Sequence, residues 1–136
     1  MARQRYVIRL HKLIRKEFDI IARKKGHLTA TFIAKVLEEI CDGLDISGYE
    51  IHPDSEAFQL KRGNSAKGNV KSNADKQMSI YLSDFTYELI EKLVEKLQEE
   101  VDRNISPSYV IRDLLFHWLD RQGSDIEISY EKINSD

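Results

Sequence analysis

The sequence predicts a mainly α fold with one two-stranded antiparallel β-ribbon. Three observations support this: a short alternating segment occurs twice, each copy is followed by two amphipathic helical stretches, and the copies keep a spacing of 72 residues. RYVIRLH (5–11) puts Tyr6, Ile8 and Leu10 on one face, and QMSIYLS (77–83) does the same with Met78, Ile80 and Leu82. Adding 72 carries the first set onto the second. The same step carries Ile14, Phe18, Ile21 and Ala22 onto Thr86, Ile90, Leu93 and Val94, so the repeat extends beyond the strand.

In the first unit, Leu13, Ile14, Phe18, Ile21 and Ala22 form a helical stripe that stops at Gly26, a residue suited to the left-handed conformation at a helix end. LTATFIAKVLEEIC (28–41) predicts the second helix, with Thr29 as its N-cap. In the second unit, Ser83 or Asp84 caps a helix whose Ile90, Leu93, Val94, Leu97 and Val101 face one way and which runs to about Arg103. ISPSYVIRDLLFHWL (105–119) follows, with Ser106 as N-cap and Pro107 at the favoured first position. Here the offset is 77, the five extra residues falling in the longer helix and its turn. The chain thus divides into a first unit at 1–42, a connection at 43–75, a second unit at 76–122 and an acidic tail at 123–136. Within the connection, 61–76 is rich in Gly, Asn, Ser and Lys and reads as a flexible basic linker. The stretch 45–60 carries Ile46, Tyr49, Ile51, Phe58 and Leu60, enough apolar surface to pack on a helix or to form a short element of its own. In the tail, IEISY alternates weakly like a strand, with disorder as the alternative reading.

A lone short strand has no partner for its backbone hydrogen bonds, so each unit must pair. If the two strands pair antiparallel over interlocked helices, the faces bearing Tyr6, Ile8, Leu10, Met78, Ile80 and Leu82 are buried together. The opposite face then presents Arg5, Val7 and Arg9 from one strand and Gln77, Ser79 and Tyr81 from the other. A two-stranded ribbon fits the DNA major groove, where long polar side chains reach base edges.

The net charge of −2 hides an asymmetry. Residues 1–35 hold ten Lys/Arg against two Asp/Glu, residues 36–60 hold none against seven, and 61–76 hold five against one. Residues 77–122 hold five against nine, and the tail one against four. A basic end attracts polyanions even when the whole chain is near neutral.

KQMSIYLSDFTYELIEKL followed by ISPSYVIRDLLFHWL resembles the ribbon-helix-helix family of DNA-binding proteins, to which the Arc and MetJ repressors belong. The match rests on the three inward apolar strand residues and on Ser106 and Ser108 opening the second helix. The first unit matches less closely, with Thr29 and Thr31 at those positions and Ala34 where Ile111 stands in the second. Two units in one chain are similar to the tandem arrangement of TraY-type proteins, which implies a tandem ribbon-helix-helix pseudo-dimer. The resemblance implies base contacts from Arg5, Val7, Arg9, Gln77, Ser79 and Tyr81. It also implies phosphate contacts at the start of each second helix, from Thr29, Thr31, Ser106 and Ser108. Helix N-terminal amides favour an anion on physical grounds as well. Arg3 is expected to contact phosphate as well, and Lys61, Lys67 and Lys71 add positive charge. Arginine pairs with guanine and glutamine with adenine, so Arg5 and Arg9 are expected to favour G and Gln77 to favour A, on an asymmetric site. Val7 is either a contact to a thymine methyl or simply a good strand former.

The expected role is sequence-specific binding of double-stranded DNA by a transcriptional regulator, with self-association on adjacent sites as a further expectation. The alternatives are a relaxosome or partition accessory protein, or an antitoxin-like protein that grips a protein partner through its acidic segments. No nucleophile motif, phosphate loop or metal spacing occurs, so an enzyme is not expected. Cys41 is the one cysteine, and His11, His27, His52 and His117 are scattered, so no metal or other cofactor is expected. The apolar runs are short and broken by charge, which predicts a cytoplasmic protein with no membrane partner. Tyr109, Phe116 and Trp118 are expected in the core or an interface. Glu88, Glu91, Glu95, Glu99 and Glu100 are expected on a solvated face, with Lys92 and Lys96 for i,i+4 pairs.

Overall fold

The computed structural model describes residues 3–53, 55, 77–101 and 104–122, with the side chain of Arg3 outside that description. Strand β1 (Arg3–Ile8) leads into helices α1 (Lys12–Lys24) and α2 (Thr29–Asp42). Strand β2 (Met78–Ser83) leads into α3 (Asp84–Glu100) and α4 (Pro107–Arg121). The order strand, helix, helix therefore occurs twice. The expected linker at 61–76 and tail at 123–136 lie outside the described residues, as do Asp102 and Arg103.

The two strands pair antiparallel into one ribbon, with Arg5 opposite Tyr81, Tyr6 opposite Ile80, Val7 opposite Ser79 and Ile8 opposite Met78. Alternation sorts the faces as expected. Ile8, Leu10, Met78, Ile80 and Leu82 are buried and Tyr6 is half-buried, while Arg5, Val7, Arg9, Gln77 and Tyr81 are exposed. Beneath the ribbon, Phe18 of α1, Ile33 and Leu37 of α2, Ile90 and Leu93 of α3, and Ile111 and Leu114 of α4 complete one apolar core. Helix α2 is central, touching β2 and all three other helices. Phe116 is buried, and Tyr109 and Trp118 are partly buried against this core. The Trp118 ring stacks on Phe18 at 5.7 Å and meets Phe32 edge-on at 5.8 Å.

Local sequence explains most helix ends. The His11 ring accepts from the Leu13 amide at 3.1 Å and opens α1. The helix closes through Gly26 (φ 73°), where the Gly26 amide donates to Arg23 and the His27 amide to the Ala22 carbonyl, the paired bonds of a Schellman turn. Ser83 caps α3 by accepting from the Thr86 amide, and Ser106 caps α4 by accepting from the Tyr109 amide, with Pro107 at the first helical position. The expected Thr29 cap is corrected. Leu28 is the N-cap of α2, no side chain caps the helix, and the Thr29 hydroxyl donates instead to the Asp19 carboxylate of α1. A carboxylate is the stronger acceptor, so the side chain turns away from the backbone.

Residues 43–53, the start of the expected connection, lie against the second unit. Tyr49 is buried and its hydroxyl donates to Asp113 of α4, while the His52 amide donates to the other Asp113 oxygen at 3.1 Å. Lys96 of α3 donates to the Tyr49 carbonyl at 2.6 Å. The His117 ring of α4 lies 3.2 Å from the Glu50 carbonyl.

Candidate nucleic-acid interface

The exposed ribbon face is built by period-two alternation and by the register. Val7 is paired with Ser79, the residue 72 positions later, so a pair of repeat-related residues lies in the ladder, one step from its Ile8–Met78 end. Arg5 lies one step out on the same face, opposite Tyr81, whose repeat counterpart is Arg9. Val7 is 44% exposed and Tyr81 50%, both large for apolar or aromatic side chains. Ser79 is half-buried, and its hydroxyl accepts from the Arg5 Nε at 3.1 Å. That bond uses one of five guanidinium donors, so Arg5 keeps its remaining N–H groups. Arg5, Val7, Ser79 and Tyr81 therefore share one face of the paired strands, with Arg5 tied across them, and Arg9 and Gln77, both exposed, lie just beyond the end of the ladder.

The helix starts differ from each other. At α2 the amides of Thr29, Ala30 and Thr31 precede that of Phe32, the first to donate within the helix, to the Leu28 carbonyl, and no side chain caps them. At α4 Pro107 has no N–H and the Tyr109 amide is held by Ser106, which leaves Ser108 as the one helical N–H of that turn without such a partner. Thr31 is exposed, Thr29 and Ser108 are half-buried, and Ser106 is exposed. Thr31, Ser79 and Tyr81 line one groove of about 650 Å³ between α2 and β2, together with Ala30, Ala34 and Lys35. The structure thus brings two expected base contacts beside one expected phosphate contact. Lys24 and Lys25, both exposed, end α1 just before this turn.

Some neighbouring residues were not singled out from sequence. The Arg112 guanidinium lies 3.5 Å from the Arg9 carbonyl, and burial lowers its pKa from the ordinary value. A cation inside the apolar stripe of α4 was the available signal. Glu91 departs from the expected solvated face: it is half-buried and accepts from the Tyr6 hydroxyl at 2.7 Å. Burial, reinforced by Glu91, raises the pKa of that phenol. Burial also pushes the Cys41 thiol up to about 12, with the charge of Glu38 adding to the effect, so it stays protonated near neutral pH.

Among the described residues no cluster of His, Cys, Asp or Glu is arranged to hold a metal ion, and no helix is long and apolar enough to cross a membrane. Comparison with family models, curated proteins and solved structures finds no match to the chain.

Proposed function

We propose that this chain binds double-stranded DNA sequence-specifically by laying the β1–β2 ribbon in the major groove, and that it regulates transcription. In this reading the two units form a ribbon-helix-helix pseudo-dimer within one polypeptide. The observation that carries it is the register: Val7 faces Ser79 and Arg5 faces Tyr81 on one face of the ribbon, with Arg9 and Gln77 exposed just beyond the last pair. A ribbon whose buried face seals a four-helix core has its other face available, and its width suits the groove. Arg5 and Arg9 supply two-pronged donors for guanine, Gln77 and Tyr81 supply hydrogen bonds on the other strand, and Val7 offers an apolar contact to a thymine methyl. The uncapped start of α2, with Thr31 beside it, is the stronger phosphate clamp of the two helix starts. Because the strands differ, the preferred site is asymmetric.

The test is selection of bound sites from random duplex with the wild-type chain, followed by titration of Arg9→Ala on the selected site. Affinity is expected to fall about 10- to 100-fold, the loss of one two-pronged base contact, with the thermal midpoint almost unchanged. Binding to random duplex is expected to weaken steeply as salt rises. No duplex binding at low salt, or unchanged affinity in Arg9→Ala, overturns the ribbon assignment.

A further inference from the structure

The outer faces of the two first helices are opposite in charge at matching positions. Lys12, Lys16 and Arg23 lie on one line along α1, since steps of four and seven residues return to the same side of a helix. Seventy-two positions later, Asp84, Glu88 and Glu95 lie on the corresponding line of α3. All six are exposed. Asp84 accepts from the Gln4 side chain at 3.1 Å, and the other five make no ion pair with a described residue. Each line is bordered by an exposed apolar side chain, Ile20 (41%) on α1 and Phe85 (60%) on α3.

The helix dipole accounts for Arg23 in the last turn of α1 and Asp84 in the first turn of α3, but not for the rest: Lys12 occupies the first position of α1, where a cation opposes the dipole, and Glu88 and Glu95 lie beyond the first turn of α3. DNA contact does not account for them either. In an approximately two-fold molecule, an α1 line that faces phosphate puts the Asp84, Glu88 and Glu95 line against phosphate too. Antiparallel pairing sends the two helices off opposite ends of the ribbon: β1 ends at Ile8, opposite Met78, and β2 ends at Ser83, opposite Arg3.

We infer that copies of this chain associate head to tail, the basic line of α1 on one copy meeting the acidic line of α3 on the next. The inference rests on the two-unit reading of the fold but not on DNA binding. The contact is heterologous, so in a pair one copy keeps its acidic line free and the other its basic line, and further copies add at either end, into an open chain or, where the rotation closes, a ring. Ile20 and Phe85 supply the apolar part, and the charges set the polarity.

Sedimentation velocity without DNA tests it, using the full chain at about 0.02 M and about 0.5 M ionic strength, where the screening length shrinks to a few ångström. Two reversal variants are compared, Lys12→Glu/Lys16→Glu/Arg23→Glu and Asp84→Lys/Glu88→Lys/Glu95→Lys. The wild type is expected to gain mass with concentration at low salt and to lose it at high salt. Each variant alone is expected to associate at least about 100-fold more weakly, because both its lines then carry one sign. An equimolar mixture is expected to recover association. The six-fold variant, with both lines reversed in one chain, provides a second recovery arm should either triple variant fold poorly. A wild type that stays monomeric at low salt, a triple variant that still associates alone, or failure of both recovery arms overturns the inference. Titration of the same variants on duplex DNA reports separately on the proposed function.

Discussion

At the corner where β2 turns into α3, one carboxylate holds the chain together. Glu38 of α2 accepts from the Ser83 amide at 2.7 Å, from the Ser83 hydroxyl at 2.9 Å and from the Thr86 hydroxyl at 2.8 Å. The matching corner of the first unit has His11, Ile14 and Leu115 at the corresponding positions, all buried and two of them apolar. A second exchange runs the other way, for Val36 of α2 corresponds to Asp113 of α4, both buried. The two units therefore keep one backbone order while trading apolar and polar partners between them. A buried polar group is tolerable only where its partners are supplied, and both polar substitutions come with theirs.

The largest effect is expected at Asp113. Its carboxylate is 0% exposed and takes the Tyr49 hydroxyl and the His52 amide, with the His117 ring at 3.3 Å. Asp113→Val installs the residue of the first unit but strands the donors of Tyr49 and His52. A loss of about 3 kcal/mol in urea unfolding is expected, with faster amide exchange confined at first to the Tyr49–His52 stretch. A loss under about 1 kcal/mol means that the 43–53 segment does not depend on this carboxylate. The Tyr49 phenol also gives a pH test. Burial first, then the charge of Asp113, raises its pKa above the ordinary value. The folded state therefore keeps the proton that the unfolded chain releases near pH 10, so this stability is complete below about pH 10 and declines above it. The alkaline decline is expected to be shallower in Tyr49→Phe.

Next in size is Glu38→Leu, which copies Leu115 into the polar corner. It leaves the Ser83 amide and the Thr86 hydroxyl without their acceptor, for an expected cost of about 2–3 kcal/mol. Adding Thr86→Ile, the counterpart of Ile14, removes one stranded group and is expected to recover about 1 kcal/mol. A double-mutant cycle in urea measures that coupling. Additive losses break the comparison, since the two positions then do not act as a matched set.

These exchanges also mark what was legible in the sequence. The strands, the four helices, the inward and outward ribbon residues and the caps at Ser83 and Ser106 follow from period, spacing and local capping chemistry, all written within a few neighbouring residues. Glu38 and Asp113 were not legible, because each is defined by donors 45 to 64 residues away, and nothing local marks a carboxylate in an apolar stripe as satisfied. The same holds for Glu91, read as solvated until Tyr6 came to lie over it. Of the candidate interface, the six ribbon residues were legible through alternation, whereas the groove beside Thr31 was not. It exists because Ala30 and Ala34 are small where α4 carries Pro107 and Ile111, a difference that matters only once α2 lies under β2.

The smallest effects separate the two helix starts. Ser106→Ala removes the α4 cap and is expected to cost about 1 kcal/mol. Leu28→Ser attempts the reverse at α2. Leu28 is 79% exposed, so its removal exposes no core, and a serine there can accept from the Thr31 amide as Ser106 does from Tyr109. A gain of about 0.5–1 kcal/mol is expected. The same hydroxyl then occupies an amide that the proposed function reserves for phosphate. Leu28→Ser should therefore raise stability while weakening duplex binding several-fold, with the loss spread evenly over specific and random sequences because phosphate carries no base identity. If stability rises and binding is unchanged, the α2 amides do not hold phosphate, and the lack of a side-chain cap there is only a poor helix start.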